Sequence, residues 1–159
     1  VEKLLDRGRP IELAIVGSGP EQANLEARIA ASPHRQRLHL LGFQANPLPI
    51  YEAMDVFVLN SLREGLPNVV LEAMALELPV VSTRVAGVPR LLEHGTNGLL
   101  LDTGNAEQLE AALEQVVAEA ELRRRLGQAA RQTVVERYSF CRRMEKMRAV
   151  YDEVLGRAE

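Results

Sequence analysis

Seven residues, Gly65 to Leu71, separate Glu64 from Glu72, and that pairing is where this chain could do chemistry. A carboxylate is the strongest hydrogen-bond acceptor a side chain offers, and two of them near one point suit a ligand rich in hydroxyls. The short apolar run Val56–Leu59 reads as a strand, Asn60–Gly65 as a polar turn and Pro67–Leu76 as a helix. Pro67 suits the first helical position, where its missing N–H costs nothing. Glu64 is then expected in the loop before the helix, and Glu72 about one turn inside it. The free N–H groups of Gly65 to Val69 would favour an anion at the same place. This point lies at the carboxyl edge of a strand, where open α/β sheets bind ligands. An anion on a helix N-terminus, with hydroxyls on flanking carboxylates, is the profile of a nucleotide-sugar. Two glutamates at arbitrary spacing are ordinarily solvated surface residues, so the neighbouring segments must decide.

Those segments alternate strand and helix. Leu13–Val16 is a continuous apolar run ended by Gly17, as expected of a buried parallel strand. Ser18-Gly19-Pro20 makes a turn, Glu21–Ala31 is helical, and Ser32-Pro33 ends that helix. Arg37–Leu41 reads as the second strand, Gln44–Pro49 as loop and Ile50–Met54 as a short helix. Pro79–Ser82, Val88–Glu93 and Gly98–Leu101 read as strand, short helix and strand. The alternation predicts an α/β fold with a parallel sheet. From Asn105 onward the chain turns helical. Asn105 is expected to cap a helix to about Glu119; a second follows near Glu121–Ala130, and Ser139 caps a last one. Phe140, Met144, Met147, Tyr151 and Val154 fall at helical spacing there and are expected to pack into a core.

The stretch DVFVLNSLREGLPNVVLEAMALELPVVSTRVAGVPRLLEHGTNGLLL, Asp55 to Leu101, resembles the C-terminal half of family 4 retaining glycosyltransferases of the GT-B fold. The likeness includes the Glu-x7-Glu motif, the LEAMA continuation, the PVVST strand, the GVP turn and the GTNGLLL segment. LAIVGSGP (Leu13–Pro20) and LHLLGF (Leu38–Phe43) look like two earlier strands of the same domain, so the resemblance runs from about Ile11 to the C-terminus. It implies a Rossmann-like, doubly wound parallel sheet flanked by helices, with a helical C-terminal region, forming one GT-B half. By position it places Glu64 on the donor sugar, as the catalytic candidate, and Glu72 on the ribose. It brings the backbone of Gly65, Leu66, Asn68 and Val69 to the diphosphate and sugar. Phe43 and Gln44 would lie beside the base, and Gly17 and Gly19 would turn the chain at the cleft edge. The implied substrate is a UDP- or GDP-sugar, with no cofactor and no metal. The implied reaction moves the sugar to a hydroxyl acceptor with retention, in polysaccharide biosynthesis.

Two parts of the family pattern are not found. One is the opening strand and loop with an Arg and a Lys that neutralise the diphosphate; VEKLLDRGRP reads instead as the end of the following helix, and Lys3, Arg7 and Arg9 stand in a different context. The other is the N-terminal domain, which in the family binds the acceptor. Residues 1–159 are therefore expected to form a single, N-terminally truncated donor-binding domain that is inactive alone. Its partners would be the nucleotide-sugar donor and the missing N-terminal domain. In the doubly wound order the first strand is central, so the strands at Leu13 and Val56 would face a gap. Either the sheet halves close, or a second chain fills the gap, or the boundary is misplaced. A dimer through that gap or through the terminal helix is a further expectation. Two other functions stay open: a nucleotide-sugar binding module without catalysis, and a GT-B nucleotide-sugar epimerase.

The remaining features set bounds. A length of 159 residues fits one domain. A net charge of −3 gives no basic field for nucleic acid, and 4% aromatics with no Trp argue against stacking platforms. One cysteine, Cys141, excludes an internal disulfide and is consistent with a cytoplasmic protein, peripheral to a membrane in a fuller enzyme. Cys141 itself is expected to be a packed thiol. Gly17–Pro20 lacks the third glycine of a dinucleotide-binding loop. His34, His39 and His94 have no metal-ligand spacing. His39 is expected as a buried or edge histidine, His94 and Asp102 as turn or cap residues, and Arg84 as a loop arginine within reach of a phosphate.

Overall fold

The computed structural model describes residues 1–156. Its order is α1 (Glu2–Asp6), β1 (Leu13–Val16), α2 (Gln22–Ala31), β2 (Leu38–Gly42), α3 (Leu48–Glu52), β3 (Phe57–Leu59), α4 (Asn68–Ala75), β4 (Val80–Thr83), α5 (Val88–Leu91), β5 (Leu99–Leu101), α6 (Ala106–Ala118), α7 (Ala120–Thr133) and α8 (Phe140–Val154). Every element expected from the sequence is present, most shifted by one or two residues. Pro67 is one such shift: at φ −75° and ψ 110° it is extended and precedes the helix instead of starting it.

The strands are parallel but divide into two sheets, β1-β2 and β3-β4-β5. Among the described residues β1 pairs only with β2, and β3 only with β4, so the two halves do not close on one another. This corrects the expectation for β1. Leu13 and Ile15 are half-buried while Ala14 and Val16 are exposed, because successive side chains point to opposite faces and only one face of this two-stranded sheet is covered. A parallel strand is buried on both faces only inside a sheet covered on both faces.

β4 and β5 meet that condition. Val81 stands opposite Leu99 and Ser82 opposite Leu100, and both strands are buried along their whole length. Because successive side chains point to opposite faces, two cores form. On one face Val80 and Leu100 pack with Val70, Ala73 and Met74 of α4, Val88 and Leu91 of α5, and Ala130 of α7. On the other, Val81, Leu99 and Leu101 pack with Ala112 and Val116 of α6 and with Leu122 and Leu126 of α7. Asn105 caps α6 by accepting from the Gln108 N–H at 2.9 Å.

α1 is tied to α6 by charge. Lys3 and Arg7 contact Glu110 at 3.1 and 2.5 Å, and Arg7 and Arg9 both reach Glu114. The two cations hold the Glu110 carboxyl below its usual range, the Lys3 hydrogen bond most strongly. Arg7 and Arg9 thus serve packing between helices.

Two C-terminal features differ from expectation. α7 runs straight into a single π-helical stretch, Val134–Tyr138, whose Tyr138 hydroxyl donates to the Arg90 carbonyl at 2.6 Å. α8, capped by Ser139 as expected, leaves its stripe outside the core among the described residues: Phe140 is 75% exposed, Tyr151 62% and Val154 78%, with Met144 at 43% and Met147 at 39%. Cys141 is exposed as well, which corrects the packed-thiol expectation. Helical spacing shows that one face is apolar and does not show what covers it.

Candidate functional site

β3 ends at Leu59 and α4 begins at Asn68, so Asn60 to Pro67 form the connection that carries Glu64. α4 is anchored by Val70, Ala73 and Met74, which are buried in the core. That anchoring turns Asn68, Val69 and Glu72 outward; all three are exposed, as are Gly65 and Leu66. The Val70 N–H bonds back to the Pro67 carbonyl at 3.1 Å. The N–H groups of Gly65, Leu66, Asn68 and Val69 have no acceptor among the described residues. Such amides at a helix start carry partial positive charge and accept an anion.

Each glutamate is held by a hydroxyl. The Ser61 Oγ donates to Glu64 Oε1 at 2.7 Å, and the Tyr51 hydroxyl donates to Glu72 Oε2 at 3.0 Å. Tyr51 comes from α3 and is only 5% exposed. Its ring lies 5.8 Å from that of Phe57 at a tilt of 45°. Burial, then the hydrogen bond to Glu72 and its charge, push the Tyr51 phenol well above its usual range, so it stays a donor.

The loop itself is held from β4 and the turn after it. The Thr83 hydroxyl donates to the Ser61 carbonyl at 2.7 Å, and the Gly87 N–H donates to the Gly65 carbonyl at 3.0 Å. A Cβ on Gly87 would stand 2.7 Å from that carbonyl oxygen and 3.1 Å from Leu66 Cα. Glycine is needed there for close approach of two backbones, since its own φ of −77° is ordinary. Beside it Ala86 sits at φ +39°, a conformation that costs an L-residue about 1 kcal/mol.

The other sequence candidates lie on the second sheet. Gly17, at φ 127°, donates its N–H to the Gly42 carbonyl at 2.8 Å, which brings Gly17 and Phe43 to the same end of the β1-β2 pair. Phe43 is 74% exposed, so its ring is available for stacking, and Gly19 is exposed in the turn before α2. Gln44 turns back and donates to the Leu41 carbonyl at 2.7 Å. The structure thus brings Glu64, Gly65, Leu66, Asn68, Val69 and Glu72 together, with Gly17, Gly19 and Phe43 at the carboxyl ends of strands in the other half.

Several candidates have structural roles. Arg84 lines a groove beside β5 and α6 with His94, Asp102 and Gln108, whose lining includes no residue of the motif loop. His94 Nδ1 accepts from the Leu100 N–H at 3.0 Å, and Asp102 accepts from Gln108 at 3.0 Å. His39, on the outer strand β2, contacts Glu12 at 2.8 Å, and His34 contacts Asp6 at 2.7 Å. No group of three or more potential metal ligands occurs among the described residues. Tyr51, Ser61, Thr83 and Gly87 were not expected at the site. Ser61 alone, three residues before Glu64, was within reach of a local reading.

A family profile, glycosyl transferases group 1, matches residues 1–133. The lipopolysaccharide core biosynthesis glycosyltransferase LpsE of Rhizobium meliloti (strain 1021) is 39% identical over 129 residues, which cover 81% of this chain and 38% of that protein. The N-acetyl-alpha-D-glucosaminyl L-malate synthase of Bacillus anthracis is 31% identical over 144 residues, 91% of this chain and 38% of that protein. Among solved structures, Anabaena Alr3699/HepE in complex with UDP superposes with a TM-score of 0.85 at 23% identity, covering 96% of this chain and 44% of that one; this likeness shows the fold. The chain spans about two fifths of the length of the curated relatives it matches. The motif, the α/β architecture and the profile agree: the chain belongs to the glycosyl transferases group 1 family.

Proposed function

We propose that residues 1–159 supply the donor-binding domain of an enzyme that moves a sugar from a UDP- or GDP-sugar to a hydroxyl acceptor with retention. One observation carries this reading: two carboxylates flank a helix N-terminus with four amides that have no acceptor among the described residues, and each carboxylate is oriented by a hydroxyl donor. The amides of Gly65, Leu66, Asn68 and Val69 receive the diphosphate and stabilise the charge that grows on it as the glycosidic bond breaks. Glu72 accepts from the ribose diol. Glu64 accepts from hydroxyls of the transferred sugar and fixes its reacting carbon beside the diphosphate. Phe43, with Gly17 and Gly19 shaping the edge, borders the base.

In the retaining step the bond from the sugar carbon to the diphosphate oxygen breaks, and a bond to the acceptor oxygen forms on the same face. The acceptor proton passes to the departing diphosphate. The donor is the substrate, and neither a cofactor nor a metal is invoked. Gly65, Leu66, Asn68, Val69 and Glu72 are exposed at the surface of this domain. The acceptor and the facing wall are assigned to a further domain of the same enzyme, without which this chain binds donor and transfers nothing. Among the described residues no helix is long and apolar enough to cross a membrane; the reading places the domain in the cytoplasm, where a membrane-peripheral enzyme would meet its donor.

Calorimetric titration with UDP and UDP-glucose tests the two roles. Glu72→Ala weakens both ligands by about tenfold or more, as expected for one charge-assisted hydrogen-bond pair. Glu64→Ala leaves UDP unchanged and weakens UDP-glucose. Equal affinity for UDP in Glu72→Ala, or equal loss of both ligands in Glu64→Ala, contradicts the assignment.

A further inference from the structure

We propose that Tyr51 is a positioning residue for nucleotide recognition, its buried hydroxyl fixing the Glu72 carboxylate in the orientation that accepts the ribose diol. The inference rests on the donor-site reading above and goes beyond the motif itself, since Tyr51 lies on α3, outside the Glu64–Glu72 segment.

Glu72 is on the exposed face of α4, where a glutamate side chain ordinarily samples several rotamers. Here Oε2 takes the Tyr51 hydroxyl at 3.0 Å, and Oε1 has no partner among the described residues. The carboxylate therefore has one oxygen fixed and one presented. Tyr51 is rigid enough to do this. Its body belongs to the core with Val70, Ala73 and Met74 of the same helix that carries Glu72. The hydroxyl has one other acceptor, the Val69 carbonyl, at a long 3.4 Å. A buried tyrosine hydroxyl needs a partner, and this one is aimed at a ligand-facing carboxylate. Phenol and carboxylate depend on each other, and the bond links the interior to the surface.

The expected size follows from the freedom the bond removes. Without it Glu72 distributes over roughly five side-chain rotamers. Apparent affinity then falls by the competent fraction, about fivefold.

The test is calorimetry of the protein with UDP and with 2′,3′-dideoxy-UDP, for wild type, Tyr51→Phe, Glu72→Ala and the double variant. Tyr51→Phe keeps the ring against Phe57 and removes only the donor. The proposal expects Tyr51→Phe to cut the preference for UDP over the dideoxy nucleotide about fivefold, with affinity for the dideoxy nucleotide unchanged. It expects Glu72→Ala to abolish the preference, and the double variant to match Glu72→Ala. A wild-type preference in Tyr51→Phe, or equal loss of both nucleotides, overturns the positioning role while the donor site stands if Glu72→Ala still abolishes the preference. Retention of the preference in Glu72→Ala, or binding of neither UDP nor GDP by wild type, overturns the donor-site reading and this proposal together; where wild type takes GDP, the same comparison is made with GDP and its 2′,3′-dideoxy form. Should Tyr51→Phe fail to fold, Glu72→Asp withdraws the carboxylate from the hydroxyl by one methylene and is read the same way: an undiminished preference overturns the proposal.

Discussion

Replacing Gly87 by alanine tests whether the turn after β4 holds the motif loop in place. The residue has φ −77° and ψ −12°, which alanine adopts without strain. By backbone entropy alone the substitution would stabilise the fold by about 0.4–1 kcal/mol. The structure predicts the opposite sign. The new Cβ stands 2.7 Å from the Gly65 carbonyl oxygen and 3.0 Å from Leu66 Cδ1, where ordinary contact begins near 3.4 Å. The carbonyl must retreat by about 0.7 Å to reach that contact, and it is backbone, as is Leu66 Cα at 3.1 Å, so relief requires the loop itself to shift, whereas the Leu66 methyl can turn aside. The bond from the Gly87 N–H to that carbonyl, 3.0 Å long, is stretched by the same movement. Overpacking costs about 1–3 kcal/mol and a weakened hydrogen bond up to about 1 kcal/mol, so net destabilisation of about 1–3 kcal/mol is expected. The displaced amides are those assigned to the diphosphate, so affinity for UDP falls by tenfold or more; misplacement on the order of 1 Å can cost a hundredfold. Urea denaturation gives the first quantity and calorimetry the second. A Gly87→Ala variant as stable as wild type, or one that binds UDP equally well, refutes the reasoning.

Gly127→Ala places a Cβ 1.9 Å from the Glu77 carbonyl, where the chain leaves α4 at φ +61°; helix propensity would favour alanine by about 1 kcal/mol, yet a Tm several degrees below wild type is expected, and an increase would contradict the close approach. At alkaline pH the sign follows from Tyr51. Its phenol is raised in the folded state, so its contribution is complete below the ordinary value of 10.0 and is lost as pH rises above it. Stability measured across that window falls more steeply for wild type than for Tyr51→Phe, and identical slopes would remove Tyr51 as the cause.

The sequence made some of this architecture legible and hid the rest for identifiable reasons. Continuous apolar runs such as Val80-Val81 and Leu99-Leu101 announce strands because both faces are buried, and Asn105 and Ser139 announce helix starts because their side chains replace missing acceptors. Leu13–Val16 has the same apolar run yet is half exposed, since burial depends on neighbours the run does not contain. The α8 stripe has core-like spacing yet is exposed for the same reason. The two glutamates and the amides between them were visible because they are local. Tyr51, Thr83 and Gly87 were not, because each reaches the site through a contact from another element. Gly87 and Gly127 look like any glycine in sequence; only packing reveals that a second backbone occupies the space of a side chain.

The central claim, that this site binds a nucleoside diphosphate, is met most directly by titrating the unmodified protein with UDP, GDP and ADP, with circular dichroism to establish that it is folded. The account predicts saturable, one-to-one binding of UDP or GDP that names the base of the donor. A folded protein that takes up none of the three would contradict it.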